Sequence, residues 1–174
     1  MNTANKITLF RVVLIPVFVV LCYMTAPWSQ WAALAVFLLA SLSDFADGYI
    51  ARHYNQITDF GKFLDPIADK LLVTSAMLIF VEQGRMPAWV LLCVIAREFA
   101  VSALRLVAVD NGRVIAAGWS GKVKTAATMV TICILLVFSG EMLDSIGNAV
   151  ILVTTVYSGV EYFAKNRDVI NPNK

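Results

Sequence analysis

Asp44, Asp47, Asp65 and Asp69 lie within one stretch, DFADGYIARHYNQITDFGKFLDPIAD, at residues 44–69. Asp44 and Asp47 are three positions apart, Asp65 and Asp69 four, so in helices each pair shares one face. The sequence on either side is apolar, WAALAVFLLASLS before and LLVTSAMLIFV after. An aspartate at mid-membrane costs roughly 2.5–3.5 kcal/mol on insertion scales. Four such costs rival the roughly 5–15 kcal/mol that stabilises a whole domain. The cluster must therefore sit near an aqueous end or be neutralised by something strongly positive. A divalent metal meets that need, because Mg2+ and Mn2+ prefer hard oxygen donors and share them readily with phosphate.

The residues between the acidic pairs fit the same chemistry. The spacing reads Asp44-x2-Asp47-Gly48-x2-Ala51-Arg52-x8-Gly61-x3-Asp65-x3-Asp69. Gly48 and Gly61 each cost a helix about 1 kcal/mol relative to alanine, and in return let a ligand or another backbone approach closely. Gly48 and Ala51 fall on the aspartate side of their helix. Arg52, one turn beyond Gly48, can fork onto a phosphate.

The elements that position these residues are expected to be membrane helices. The chain is 59% hydrophobic and only 15% charged, with a mean hydropathy of +0.74, far from the roughly 25% charge of soluble proteins. A net charge of +2 and the lack of a basic arm argue against nucleic-acid binding. Cys22, Cys93 and Cys133 sit in apolar runs and read as membrane-buried thiols. Spans need about 20 apolar residues, and six are expected, at about 9–25, 30–53, 60–82, 87–109, 122–139 and 146–164. Pro16 is expected to kink the first. APWSQ, QITD, EQGRMP and SGEMLDSIGN read as connections, and 112–121 as a glycine-bearing loop or partly helical lead-in. The fold class is thus all-α: a polytopic membrane protein of six transmembrane helices forming one domain, 1–174. Lys and Arg crowd one set of span ends and Arg85 stands alone on the other, which places both termini and the aspartate pairs on the cytoplasmic side.

The aspartate pattern resembles the signature of the CDP-alcohol phosphatidyltransferase family, with every position matched. The resemblance implies that Asp44, Asp47, Asp65 and Asp69 bind metal, Mg2+ or Mn2+, in a two-ion site. It implies that Asp69 also acts as the base on an acceptor hydroxyl, and that Gly48, Ala51, Arg52 and Gly61 line the site for CDP-diacylglycerol. It further implies a multi-pass enzyme of the cell membrane that pairs as a homodimer.

A second basic group suggests the acceptor. Arg97 and Arg105 lie in the fourth span, Lys122 and Lys124 at the start of the fifth. Cations so deep suit an anionic acceptor, glycerol 3-phosphate, over serine or an uncharged polyol. REFAVSALR, GKVKT and the opening NKITLFRVVLIP are similar to family members that use that acceptor, giving phosphatidylglycerophosphate and CMP. By the same resemblance Thr8 and Arg11 lie near the mouth of the site. Another acceptor alcohol (inositol phosphate, serine or phosphatidylglycerol) would keep the chemistry. A cation or proton transporter would need an acidic route to both faces, and the opposite half offers none. Adjacent Arg97 and Glu98 are expected to point apart. Lys70 is a candidate counter-charge to the aspartates, and Glu161 a helix-packing partner.

Overall fold

The computed structural model describes the backbone over residues 3–53, 59–116 and 118–170, and side chains over 7–43, 67–116 and 118–169. Seven helices follow one another among these residues: α1 (Thr3–Tyr23), α2 (Ser29–His53), α3 (Asp59–Glu82), α4 (Ala88–Asp110), α5 (Trp119–Val137), α6 (Glu141–Lys165) and the short α7 (Arg167–Ile170). The first six match the six apolar segments, but three start several residues earlier: α5 already begins at Trp119, within the 112–121 stretch. The polar lead before residue 9 is already helical from Thr3, and α1 runs through Pro16 as one helix. The α6 helix begins at Glu141, inside the segment expected to turn, and carries Glu141 and Asp144 in its first turn. Carboxylates suit a helix start, where unpaired N–H groups carry partial positive charge.

Local chemistry sets the turns. Gly84 takes a left-handed φ of 71° just past α3, closing that helix, and Pro87 precedes α4 with φ −65°. Gly112 does the same past α4, also at φ 71°. At the start of α2, buried Ser29 donates to the carbonyls of Met24 (2.9 Å) and Ala26 (2.8 Å).

The helices pack as α1 on α2 and α3, α5 on α6, α4 on α6, and α2 on α5. Their inward faces repeat at helical spacing: Ala33, Phe37 and Ala40 on α2, and Leu72, Ala76 and Phe80 on α3. Phe18 of α1 meets Phe37 of α2 with ring centroids 5.7 Å apart. Large apolar side chains also cover the outside, among them Val20, Leu42, Leu92, Phe99 and Val153. An apolar exterior around an apolar core is what a lipid solvent selects. Trp119–Val137 and Glu141–Lys165 are long and apolar enough to cross a membrane, and Ile7–Tyr23 and Ser29–Ser43 are shorter apolar stretches. In α4 the apolar run is broken by Arg97, Glu98 and Arg105.

One end of the bundle is clamped by ions. Tyr23, closing α1, donates to Glu82, closing α3. Arg85, in the α3–α4 turn, pairs with Asp144 of α6 at 2.7 Å. It also donates to the carbonyls of Leu135 (2.8 Å) and Phe138 (2.6 Å), where α5 ends. Asn148 returns a bond to the Arg85 carbonyl at 2.9 Å. The aspartate-bearing end of α2 and start of α3 belong to the opposite end. Toward that end the α5–α6 seam changes character: Ile132, Leu135, Gly147 and Ile151 give way to buried Thr128, Lys124, Thr155 and Ser158.

Candidate active site

Asp44 and Asp47 fall in the second half of α2, Asp65 and Asp69 in the first half of α3. Each pair therefore occupies a continuous helix, spaced about 4.5 and 6 Å along its axis. Helices α2 and α3 also pack on each other. The side chains of Asp44, Asp47, Gly48, Ala51, Arg52, Gly61 and Asp65 lie outside the described residues, as does the 54–58 connector. Asp69 is described and half-buried. Its neighbours Ala68 and Leu72 are sealed in the core at 0% and 1% exposure, so α3 is seated firmly beneath it. Among the described residues no three of His, Cys, Asp and Glu could hold a metal. The donor chemistry of the four aspartates, all hard carboxylate oxygen, fits Mg2+ or Mn2+.

The second basic group is resolved atom by atom. Arg97 Nη1 and Lys124 Nζ reach the same carboxylate oxygen, Glu98 Oε1, at 3.0 and 2.7 Å. Arg97 and Glu98 thus do pair, contrary to the expectation that neighbours on a helix point apart; long side chains can curl back where the backbone directions diverge. Arg97 Nη2 also donates to Ser158 Oγ of α6 at 2.8 Å. Lys124 is 5% exposed, while Lys122, two positions away and so across the helix, is exposed. Arg105 Nε donates to the Tyr162 hydroxyl at 3.0 Å, and its guanidinium lies 5.6 Å from that ring's centre. Lys70, next to Asp69, donates to Ser102 of α4 at 2.7 Å. Thr8 and Arg11 are buried on α1, at 1% and 0% exposure. Glu161 meets Lys165 one turn along its own helix.

The structure therefore gathers Arg97 and Lys124 at one point and sets Arg105 and Lys122 apart from it. Sequence reasoning missed Glu98, Ser102 and Ser158 as partners. A carboxylate in an apolar helix beside an arginine was a usable signal for Glu98. Ser158 gave none, because a serine in a membrane helix is common and its partner lies 61 residues away.

The long helices thus form a bundle with an apolar exterior, and the four aspartates belong to two of them, α2 and α3. The profile of the CDP-alcohol phosphatidyltransferase family matches residues 1–160, and the chain belongs to that family. It is a transferase. A protein of Bacillus subtilis (strain 168) named CDP-diacylglycerol–glycerol-3-phosphate 3-phosphatidyltransferase is 40% identical over 187 residues, covering 97% of either chain. Proteins of the same name from Escherichia coli (strain K12) and Shigella flexneri serotype 5b are each 41% identical over 174 residues, covering 95% of either chain.

Proposed function

We propose that this chain transfers the phosphatidyl group of CDP-diacylglycerol to sn-glycerol 3-phosphate, releasing CMP and phosphatidylglycerophosphate. Near full-length similarity to enzymes named for that reaction carries the reading. The aspartate pattern on α2 and α3 supports it.

In this reading Asp44, Asp47, Asp65 and Asp69 would hold two divalent ions, Mg2+ or Mn2+. Bound there, the ions would supply charge neutralisation on the diphosphate and on the leaving CMP. The chain's own residues do the rest. Gly48, Ala51 and Gly61 give the nucleotide close access to backbone, and Arg52 forks onto its phosphate. Asp69 takes the proton of the acceptor hydroxyl as that oxygen bonds to the β-phosphorus, while the bond from phosphorus to the CMP oxygen breaks. Positioning and electrostatics dominate such a step. Arg97, Arg105, Lys122 and Lys124 provide the positive field for the acceptor's own phosphate, with Thr8 and Arg11 near the mouth.

All six long helices cross the cell membrane in this reading, with both termini cytoplasmic. The acyl chains then stay in lipid while the soluble acceptor enters from water. The chain acts as one domain, 1–174, and as a homodimer.

The test is CMP release by purified protein given CDP-diacylglycerol, Mg2+ or Mn2+, and one alcohol at a time. CMP is expected with glycerol 3-phosphate and lost in Asp69→Asn. Release only with inositol phosphate, serine or phosphatidylglycerol would overturn the acceptor. No release with any alcohol would overturn the reaction.

A further inference from the structure

The carboxylate of Glu98 has no assigned part in the chemistry above, yet it stands at the meeting point of the deep cations. We propose that Glu98 is a positioning residue of the acceptor site, holding Arg97 and Lys124 as a preset cationic pair for a phosphate monoester. This rests on the acceptor reading just given.

The geometry is specific. One oxygen, Oε1, accepts from both cations, at 3.0 Å from Arg97 on α4 and 2.7 Å from Lys124 on α5. Lys124 is 5% exposed, and a buried ammonium is tolerated only with a partner. Arg97 is fixed from its other side as well. Its Nη2 donates to Ser158 at 2.8 Å, and its side chain passes between two glycines of different helices. A Cβ added at Gly159 would stand 3.3 Å from Arg97 Cγ, and one at Gly121 would stand 3.5 Å from Nη2. One donor of that guanidinium, Nε, is buried with no partner among the described residues.

The cluster also reaches the aspartate helix. Lys70 follows Asp69 on α3 and bonds Ser102, one turn along α4 from Glu98, at 2.7 Å. Two cations thus meet at one carboxylate, and a third, on the helix of the proposed catalytic aspartate, bonds the serine one turn along. The excess charge is positive, as a phosphate-bearing acceptor needs. The single anion keeps two of the cations from repelling one another out of register.

A positioning role and a merely competing one predict opposite signs. If Glu98 only competed with the acceptor for the cations, removing its charge would strengthen acceptor binding. If it positions them, removal weakens binding although the site becomes more positive. The experiment is steady-state kinetics on the full-length protein carrying Glu98→Gln, Lys124→Gln or both, alongside Glu98→Asp. We expect Glu98→Gln to raise KM for glycerol 3-phosphate roughly tenfold, the scale of one lost charge-assisted bond. KM for CDP-diacylglycerol and kcat at saturation should stay within about twofold. The double variant should be little worse than Lys124→Gln alone, because both changes break one unit.

A lowered or unchanged KM for the acceptor would overturn the proposal. So would equal damage to both substrates together with a falling melting temperature. If Glu98→Gln does not fold, Glu98→Asp decides: a raised acceptor KM with kcat retained supports the role, and an unchanged one overturns it. Should the unmodified enzyme use a different alcohol, the acceptor reading fails. The same KM comparison, made with that alcohol, then supports Glu98's role if the alcohol carries a phosphate monoester and its KM rises, and overturns it otherwise.

Discussion

Arg113, just past α4, pairs with Asp168 of α7, and both side chains are about half exposed, at 52% and 55%. The guanidinium beside it holds the Asp168 carboxyl below its usual range. The unfolded chain therefore binds the extra proton more readily in acid. The pairing supports the folded state above the ordinary aspartate value of about 3.9, and that support is lost as pH falls through the lowered folded value. An NMR titration of the Asp168 carboxyl should show its midpoint moving up toward the ordinary value in Arg113→Gln. An unmoved midpoint would show that the pair does not hold the charge. At this scale the sequence was uneven. The aspartates announce themselves, because their type, spacing and apolar setting conflict with anything but charge chemistry. Ser158 does not, since its meaning depends on which helix faces it, and pairing across 61 residues leaves no periodic trace.

Among the elements, the α5–α6 seam is closely packed at Gly147. A Cβ at Gly147 would come within 3.0 Å of Thr131 Cγ2 and 3.2 Å of Leu135 Cδ1. Alanine is the better helix former by about 1 kcal/mol, but overpacking costs about 1–3 kcal/mol, and contacts with two side chains leave little room to yield. Gly147→Ala should therefore lower the thermal midpoint in detergent by a few degrees. A raised midpoint would mean that the seam relaxes freely. Helix positions were legible here because hydropathy runs and Gly84, Pro87 and Gly112 mark their ends. The start of α6 was not, since EMLDSIGN has the polarity of a loop and the charge pattern of a helix start.

For the whole molecule, the proposed topology separates the Arg85 clamp from the aspartates by the thickness of the membrane. Gln83, just past α3, and Asn111, just past α4, are both exposed and stand at opposite ends of the bundle. In cells whose three native cysteines, all free thiols, are replaced by alanine, Gln83→Cys should react with a membrane-impermeant maleimide. Asn111→Cys should react only after permeabilisation. The reverse pattern would invert the orientation. Composition and the lysine and arginine distribution carried this much. Which helices touch could not be read from them, because six apolar surfaces are nearly interchangeable until buried polar groups choose partners.

Those choices also impose an order on synthesis. Arg97 is made on α4, but its ion-bridging neighbour Lys124 and its hydroxyl partner Ser158 belong to helices that leave the ribosome later. With Ser158 61 residues further on, a newly inserted α4 holds a guanidinium with half its cradle unmade. The slot closes only when Gly159 arrives behind it. The last long helix, α6, distant in sequence from the four aspartates of α2 and α3, is thus the piece whose arrival completes the setting of the deep arginine.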